Sequence, residues 1–108
     1  MRKAEIKFNE ETAGWITQDD NGFHFIYDKS YLNGNKPIPV SLTLPLQEKA
    51  YDSPILFPFF DGLIPEGWLL DIAETNWKLD PRDRMGLLMA CCKDCIGAVS
   101  VFPIEIKE

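Results

Sequence analysis

An α+β domain is the fold this sequence predicts: a curled antiparallel sheet of about five strands, barrel-like, with two to three helices inserted before the last strand. Three observations predict it. Apolar and polar residues alternate through residues 3–27 and again at 40–44, the period of strands with one wet face. From about residue 57 the apolar spacing lengthens to that of helices, with proline-led starts at Pro65 and Pro81. Alternation then returns over Ala98-Val99-Ser100-Val101-Phe102.

The 108 residues are expected to form one domain, 1–108. A chain of this size buries roughly two-thirds of its unfolded surface, enough for a core without metals or disulfides. No apolar run reaches the ~18–20 residues that cross a bilayer. No apolar stretch follows the basic pair Arg2-Lys3, so no secretion signal is read and a cytosolic location is expected.

Within the first half, Ala4, Ile6 and Phe8 alternate with Glu5, Lys7 and Asn9. Asn9-Glu10-Glu11-Thr12 reads as a turn, and a strand at about 13–18 carries Trp15 and Ile16, with Trp15 expected inside a core pattern. Asp19-Asp20-Asn21-Gly22 reads as a hairpin, with Asn-Gly taking the positive φ values of a type I′ turn. In the third strand Phe23, Phe25 and Tyr27 share one face, His24 and Ile26 the other. Asp28–Leu32 suits one helical turn, ended by Asn33-Gly34-Asn35. Pro37 and Pro39 lead into an expected strand at Val40–Leu44, an edge strand or one with a ragged start, followed by a loop around Ala50–Ser53.

In the second half, a short helix is expected at about 57–63. A second runs from Pro65 to about Leu79, with Leu69, Ile72, Ala73 and Trp77 as its core stripe. Asp80-Pro81-Arg82-Asp83 starts a third, with Met85, Leu88, Met89 and Cys92 facing inward. Ile104 and Ile106 extend the last strand past Pro103.

The net charge of −6 is unevenly placed. No Lys or Arg occurs between Lys49 and Lys78, whereas Asp52, Asp61, Glu66, Asp71 and Glu74 do. Clustered bases are what phosphate binding needs, so the acidic balance argues against a nucleic-acid surface and no direct nucleic-acid binding is expected. An apolar stretch that is also acidic suits a protein partner with a basic cleft. The expected docking residues are Gly62, Leu63, Pro65, Glu66, Trp68 and Asp71. Trp68 lies one step off the core stripe of its helix. It either packs under the 57–64 segment or projects as an anchor, tryptophan being among the residues most enriched at interface hot spots.

Chemistry is harder to place. No glycine-rich phosphate loop and no kinase-type HRD or DFG triplet occurs. His24, the one histidine, has no nucleophile or acid beside it in sequence. Cys91, Cys92 and Cys95 crowd together: Cys92-x-x-Cys95 is half a zinc motif without its second half, and the alternative is small apolar residues at a helix end. No catalytic residue, cofactor or metal is expected.

Three blocks resemble a known family. Val40-Ser41-Leu42-Thr43-Leu44-Pro45-Leu46-Gln47, Phe59-Phe60-Asp61-Gly62-Leu63-Ile64-Pro65-Glu66 and Asp94-Cys95-Ile96-Gly97-Ala98-Val99 are similar, in order and spacing, to the N-terminal domain of HipA-type toxin kinases. That resemblance implies a curled five-stranded sheet with helices, preceding a kinase body that phosphorylates an aminoacyl-tRNA synthetase. Because the sequence ends soon after Gly97, the kinase body is expected to be missing. The chain then resembles HipS, the stand-alone antitoxin of tripartite HipBST systems. The implied partner is a separate HipT-like Ser/Thr kinase, with a HipB-like helix-turn-helix DNA-binding protein in a ternary complex. A structural or substrate-selecting subunit of a split kinase is the alternative. Pro58 departs from the family pattern, so the first helix is expected to start late. Glu66-Gly67-Trp68 departs too, so Trp68 is not inherited from full-length HipA kinases.

Overall fold

Alternation in the first 27 residues builds three strands, and the last strand returns to pair with the first. The computed structural model describes residues 2–64, 82–91 and 98–104. Strands β1 (Arg2–Phe8), β2 (Glu11–Asp19) and β3 (Gly22–Tyr27) form an antiparallel meander. Helix α1 (Lys29–Leu32), strand β4 (Tyr51–Ser53), helix α2 (Pro58–Asp61), helix α3 (Arg84–Cys91) and strand β5 (Val99–Ile104) follow. The sheet order is β4-β3-β2-β1-β5, every pair antiparallel. The sheet is open, with β4 and β5 as its edges.

One face of the sheet carries the core. Ala4, Ile6, Ile16, Phe25, Tyr27, Val99 and Val101 are buried there, and Phe57, Phe60 and Ile64 of the α2 region pack with Met85, Leu87 and Leu88 of α3 in the same cluster. The Phe60 ring lies 5.3 Å from Phe25, 6.1 Å from Phe57 and 5.2 Å from Phe59, within the range of favourable aromatic pairs. Among the described residues no polar or charged residue is fully buried.

Turn chemistry differs from expectation at both hairpins. The first turn is two residues long: Asn9 (φ 51°) and Glu10 (φ 70°) make the positive-φ pair of a type I′ turn, and Glu11 and Thr12 already belong to β2. At the second, the loop residues are Asp20 and Asn21, between the partners Asp19 and Gly22. Neither has positive φ; Gly22 takes it instead, at +119°, where a Cβ would come 2.5 Å from the Ser53 carbonyl oxygen. Asn21 N–H donates to Asp19 Oδ1 at 2.8 Å, a side-chain closure of this two-residue loop.

A bulge corrects the reading of Trp15. The register steps from Ile6↔Gly14 to Lys7↔Thr12, leaving Ala13 without a partner strand residue in β1, and the Ala13 carbonyl accepts from Asp28 N–H at 2.8 Å. Ala13 and Ile16 both turn into the core, and Trp15 lies on the outer face opposite Glu5 and Ile26, with Lys3 Nζ 5.0 Å from its ring centre. It is a partly exposed cation–π partner and not a core residue.

The expected strand at Val40–Leu44 is a tight turn. Ser41 and Leu44 form an isolated bridge, with Leu44 N–H donating to the Ser41 carbonyl at 3.1 Å. The edge strand is β4, in the segment expected to be a loop. Flanking prolines explain the difference: Pro37, Pro39 and Pro45 have no N–H to give a ladder, whereas Tyr51-Asp52-Ser53 can pair with Phe25-His24-Phe23.

The helix starts also shift. Pro58 is the first residue of α2, where its missing N–H costs nothing, and Phe57 precedes it without a side-chain cap. Helix α3 begins at Arg84, later than Pro81. Asp83, expected inside the helix, caps it by accepting from Gly86 N–H at 3.2 Å. The expected helix 65–79 with its Trp77 stripe, Cys92, Cys95 and Ile106 lie outside the described residues.

Candidate functional site: the α2 region and its surroundings

The docking residues read from the sequence begin at the C-terminus of α2. Gly62 is the exposed C-cap residue (φ −68°, ψ −14°), and its N–H donates to the Pro58 carbonyl at 2.9 Å. Leu63 is half-buried against the core cluster, so of these two residues the glycine is the one presented to solvent. Pro65, Glu66, Trp68 and Asp71 lie outside the described residues.

Asp61, beside Gly62, has a basic partner that the local sequence does not show. Arg84, from the first turn of α3, donates through Nε to Asp61 Oδ1 and pins α2 to α3. Ile55, Leu56, Pro58, Asp61 and Arg84 line an open groove of about 370 Å³. Ile55 is 66% exposed on its rim, whereas Leu56 is buried. Neither contribution is signalled in the sequence. Ile55-Leu56-Phe57 between two prolines has no alternation that separates inward from outward residues, and Arg84 reaches Asp61 from 23 residues away.

Asp52 is partnered as well. His24 Nδ1 lies 2.5 Å from Asp52 Oδ1 on β4, and Nε2 lies 3.0 Å from Asp19 Oδ1 at the end of β2. Hydrogen bonds to Asp52 and then to Asp19 raise the His24 pKa above its ordinary 6.5, and the bond from His24 holds Asp19 below 3.8. With both ring nitrogens engaged by carboxylates, His24 fastens the edge strand to the β2–β3 hairpin.

Two further clusters hold the frame. The Arg2 guanidinium meets Asp83 through two bonds of 2.7 Å and donates from Nε to Gln18 Oε1 at 2.8 Å, tying the start of β1 to the cap of α3. That pairing lowers the Asp83 pKa. All three tyrosines hold the 37–46 segment. Tyr27 Oη accepts from Val40 N–H at 3.0 Å and donates to the Leu44 carbonyl; Tyr31 Oη donates to the Ile38 carbonyl at 2.6 Å and Tyr51 Oη to the Pro45 carbonyl at 2.5 Å. Burial pushes the Tyr27 pKa up to about 12.

The described side chains therefore define a small α+β domain whose charged groups bind one another across elements, beside an apolar groove next to Gly62. Comparison with known proteins identifies its family. Residues 4–102 match the HipA N-terminal domain family, and the chain belongs to it. It is 32% identical over 101 residues to an uncharacterized protein of Haemophilus influenzae, covering 94% of this chain and 92% of that one. It is also 26% identical over 104 residues to the putative kinase Y4mE of Sinorhizobium fredii, where the match covers 95% of this chain but 25% of the kinase. Among solved structures, the N-terminal domain of HipA toxin superposes with a TM-score of 0.77 at 28% identity, over 99% of this chain and 96% of that chain.

Proposed function

We infer that this chain is a non-catalytic antitoxin of the HipBST type, which binds a separate HipA-like Ser/Thr kinase in the cytosol and inhibits it. One observation carries the reading. Residues 4–102 match the HipA N-terminal domain family, and a Haemophilus influenzae relative is matched over 92% of its own length, whereas in a putative kinase the same match takes up 25%, so a sequence of this kind occurs both as a small protein and within a kinase. A domain that accompanies a kinase body in one protein has a surface suited to such a body in another. The polar clusters support a binding role, because His24, Arg2, Asp83, Asp61 and Arg84 are engaged with each other in holding strands and helices together.

In this reading the segment from Gly62 to Asp71 docks at the active-site cleft of the kinase. Trp68 fills an apolar pocket, and Glu66 and Asp71 meet basic phosphate-binding residues, with Leu63 and Pro65 shaping the approach. A HipB-like DNA-binding protein is the expected third member of the complex. The kinase targets an aminoacyl-tRNA synthetase, and inhibition spares it.

The kinase relative also favours a second reading, in which the chain completes a split kinase as a structural or substrate-selecting subunit. Adding the purified chain to the kinase separates the two. An antitoxin lowers autophosphorylation and synthetase phosphorylation, and a completing subunit raises both. Trp68→Ala should weaken inhibition about tenfold or more while the circular dichroism spectrum stays that of wild type. Full inhibition by the folded variant would remove Trp68 from the site.

A further inference from the structure

Leu42 is 94% exposed, at the apex of the tight turn between Ser41 and Leu44. A single exposed leucine is ordinary on a protein surface. The frame around this one is not. Val40 and Leu44, on either side, are buried, and one buried hydroxyl, that of Tyr27, bonds to the backbone of both. Inside the turn, Thr43 N–H donates to Ser41 Oγ at 3.2 Å, and the Ser41 and Thr43 hydroxyls are 2.9 Å apart. Tyr51 secures the chain just beyond, at Pro45. Turn apices are ordinarily polar or glycine. Here two buried anchors and six hydrogen bonds, the Leu44 N–H to Ser41 carbonyl bond included, hold an apolar side chain out in water.

We propose that Leu42 is a second docking knob for the kinase body, preorganised by Tyr27 and separate from the 62–71 segment. This rests on the kinase-binding reading above. A knob held by its frame loses little conformational entropy when it enters a socket, which is the usual gain from preorganisation. The occupant follows from two facts. Copies of a chain with net charge −6 repel each other, which disfavours self-association through this turn. The match to the putative kinase covers 25% of that polypeptide, so the remainder of a kinase is what accompanies such a frame there, and a kinase body is the occupant proposed here.

Calorimetric titration of the full chain into the HipA-like kinase from the same cell tests the proposal. Leu42→Ser should weaken binding about tenfold, and Leu42→Met, which keeps the apolar volume, should stay within about threefold of wild type. Neither should lower the melting temperature, because the side chain contributes almost nothing to the core. Wild-type affinity in Leu42→Ser would overturn the knob while leaving kinase binding intact. A wild-type chain that does not bind the kinase would overturn the kinase-binding reading and the knob with it.

Discussion

His24 shows how a lone titratable residue is used structurally. Its raised pKa, from Asp52 first and Asp19 second, means that its contribution to stability is complete below the ordinary value of 6.5 and fades as pH rises through the raised value. Asp19 has the opposite sign. Its pKa is lowered, so its contribution is present above 3.8 and lost as pH falls through the lowered value. The β4 edge is therefore held best in mildly acidic solution. Urea midpoints measured from about pH 5 to about pH 9 should fall for wild type and stay flatter for His24→Gln. Equal slopes would show that the histidine does not fasten the edge. Tyr27 acts by geometry. Tyr27→Phe leaves the Val40 N–H and the Leu44 carbonyl without their partner, and should cost about 1–3 kcal/mol in denaturant unfolding. A cost near zero would mean that the turn is held by its own internal bonds.

At the scale of elements, α2 matters more than its four residues suggest, because Phe60 is fully buried in the aromatic cluster. Phe60→Ala should cost about 3–5 kcal/mol, a large share of the ~5–15 kcal/mol that such domains have. Unfolding by urea measures it, and a loss below about 1 kcal/mol would mean that the cluster repacks around the gap. The Arg2–Asp83 pair, more than a third exposed on the Asp side, contributes well under that, about 0–1 kcal/mol. The meander was legible in the sequence because alternation is a local property: Ala4 with Ile6, and Phe23 with Phe25, share a face whatever lies across from them. The Val40–Leu44 segment was not. Val40 and Leu44 both point inward, as in a strand, but a turn between them does the same, and the hydroxyl of Tyr27 that selects the turn comes from another element. Trp15 was misread because a bulge at Ala13 shifts the face of everything after it, and no residue type announces a bulge.

For the whole molecule, the last strand returning beside the first makes one frame of the two ends of the described chain, with β4 and β5 left as edges. The antiparallel sheet and the returning strand were readable from the order of periods. The docking region was readable only as an apolar, acidic stretch. Two of the acids counted there have partners from distant positions: Arg84 meets Asp61 and His24 meets Asp52. Membership in the HipA N-terminal domain family agrees with the three sequence blocks that resembled it. The central claim is that this frame binds a kinase and silences it. The most direct measurement is the initial rate of synthetase phosphorylation by the kinase as the purified chain is titrated in. The rate should fall with added chain and level off near zero; a rate that rises, or that does not change at saturating chain, would contradict the account.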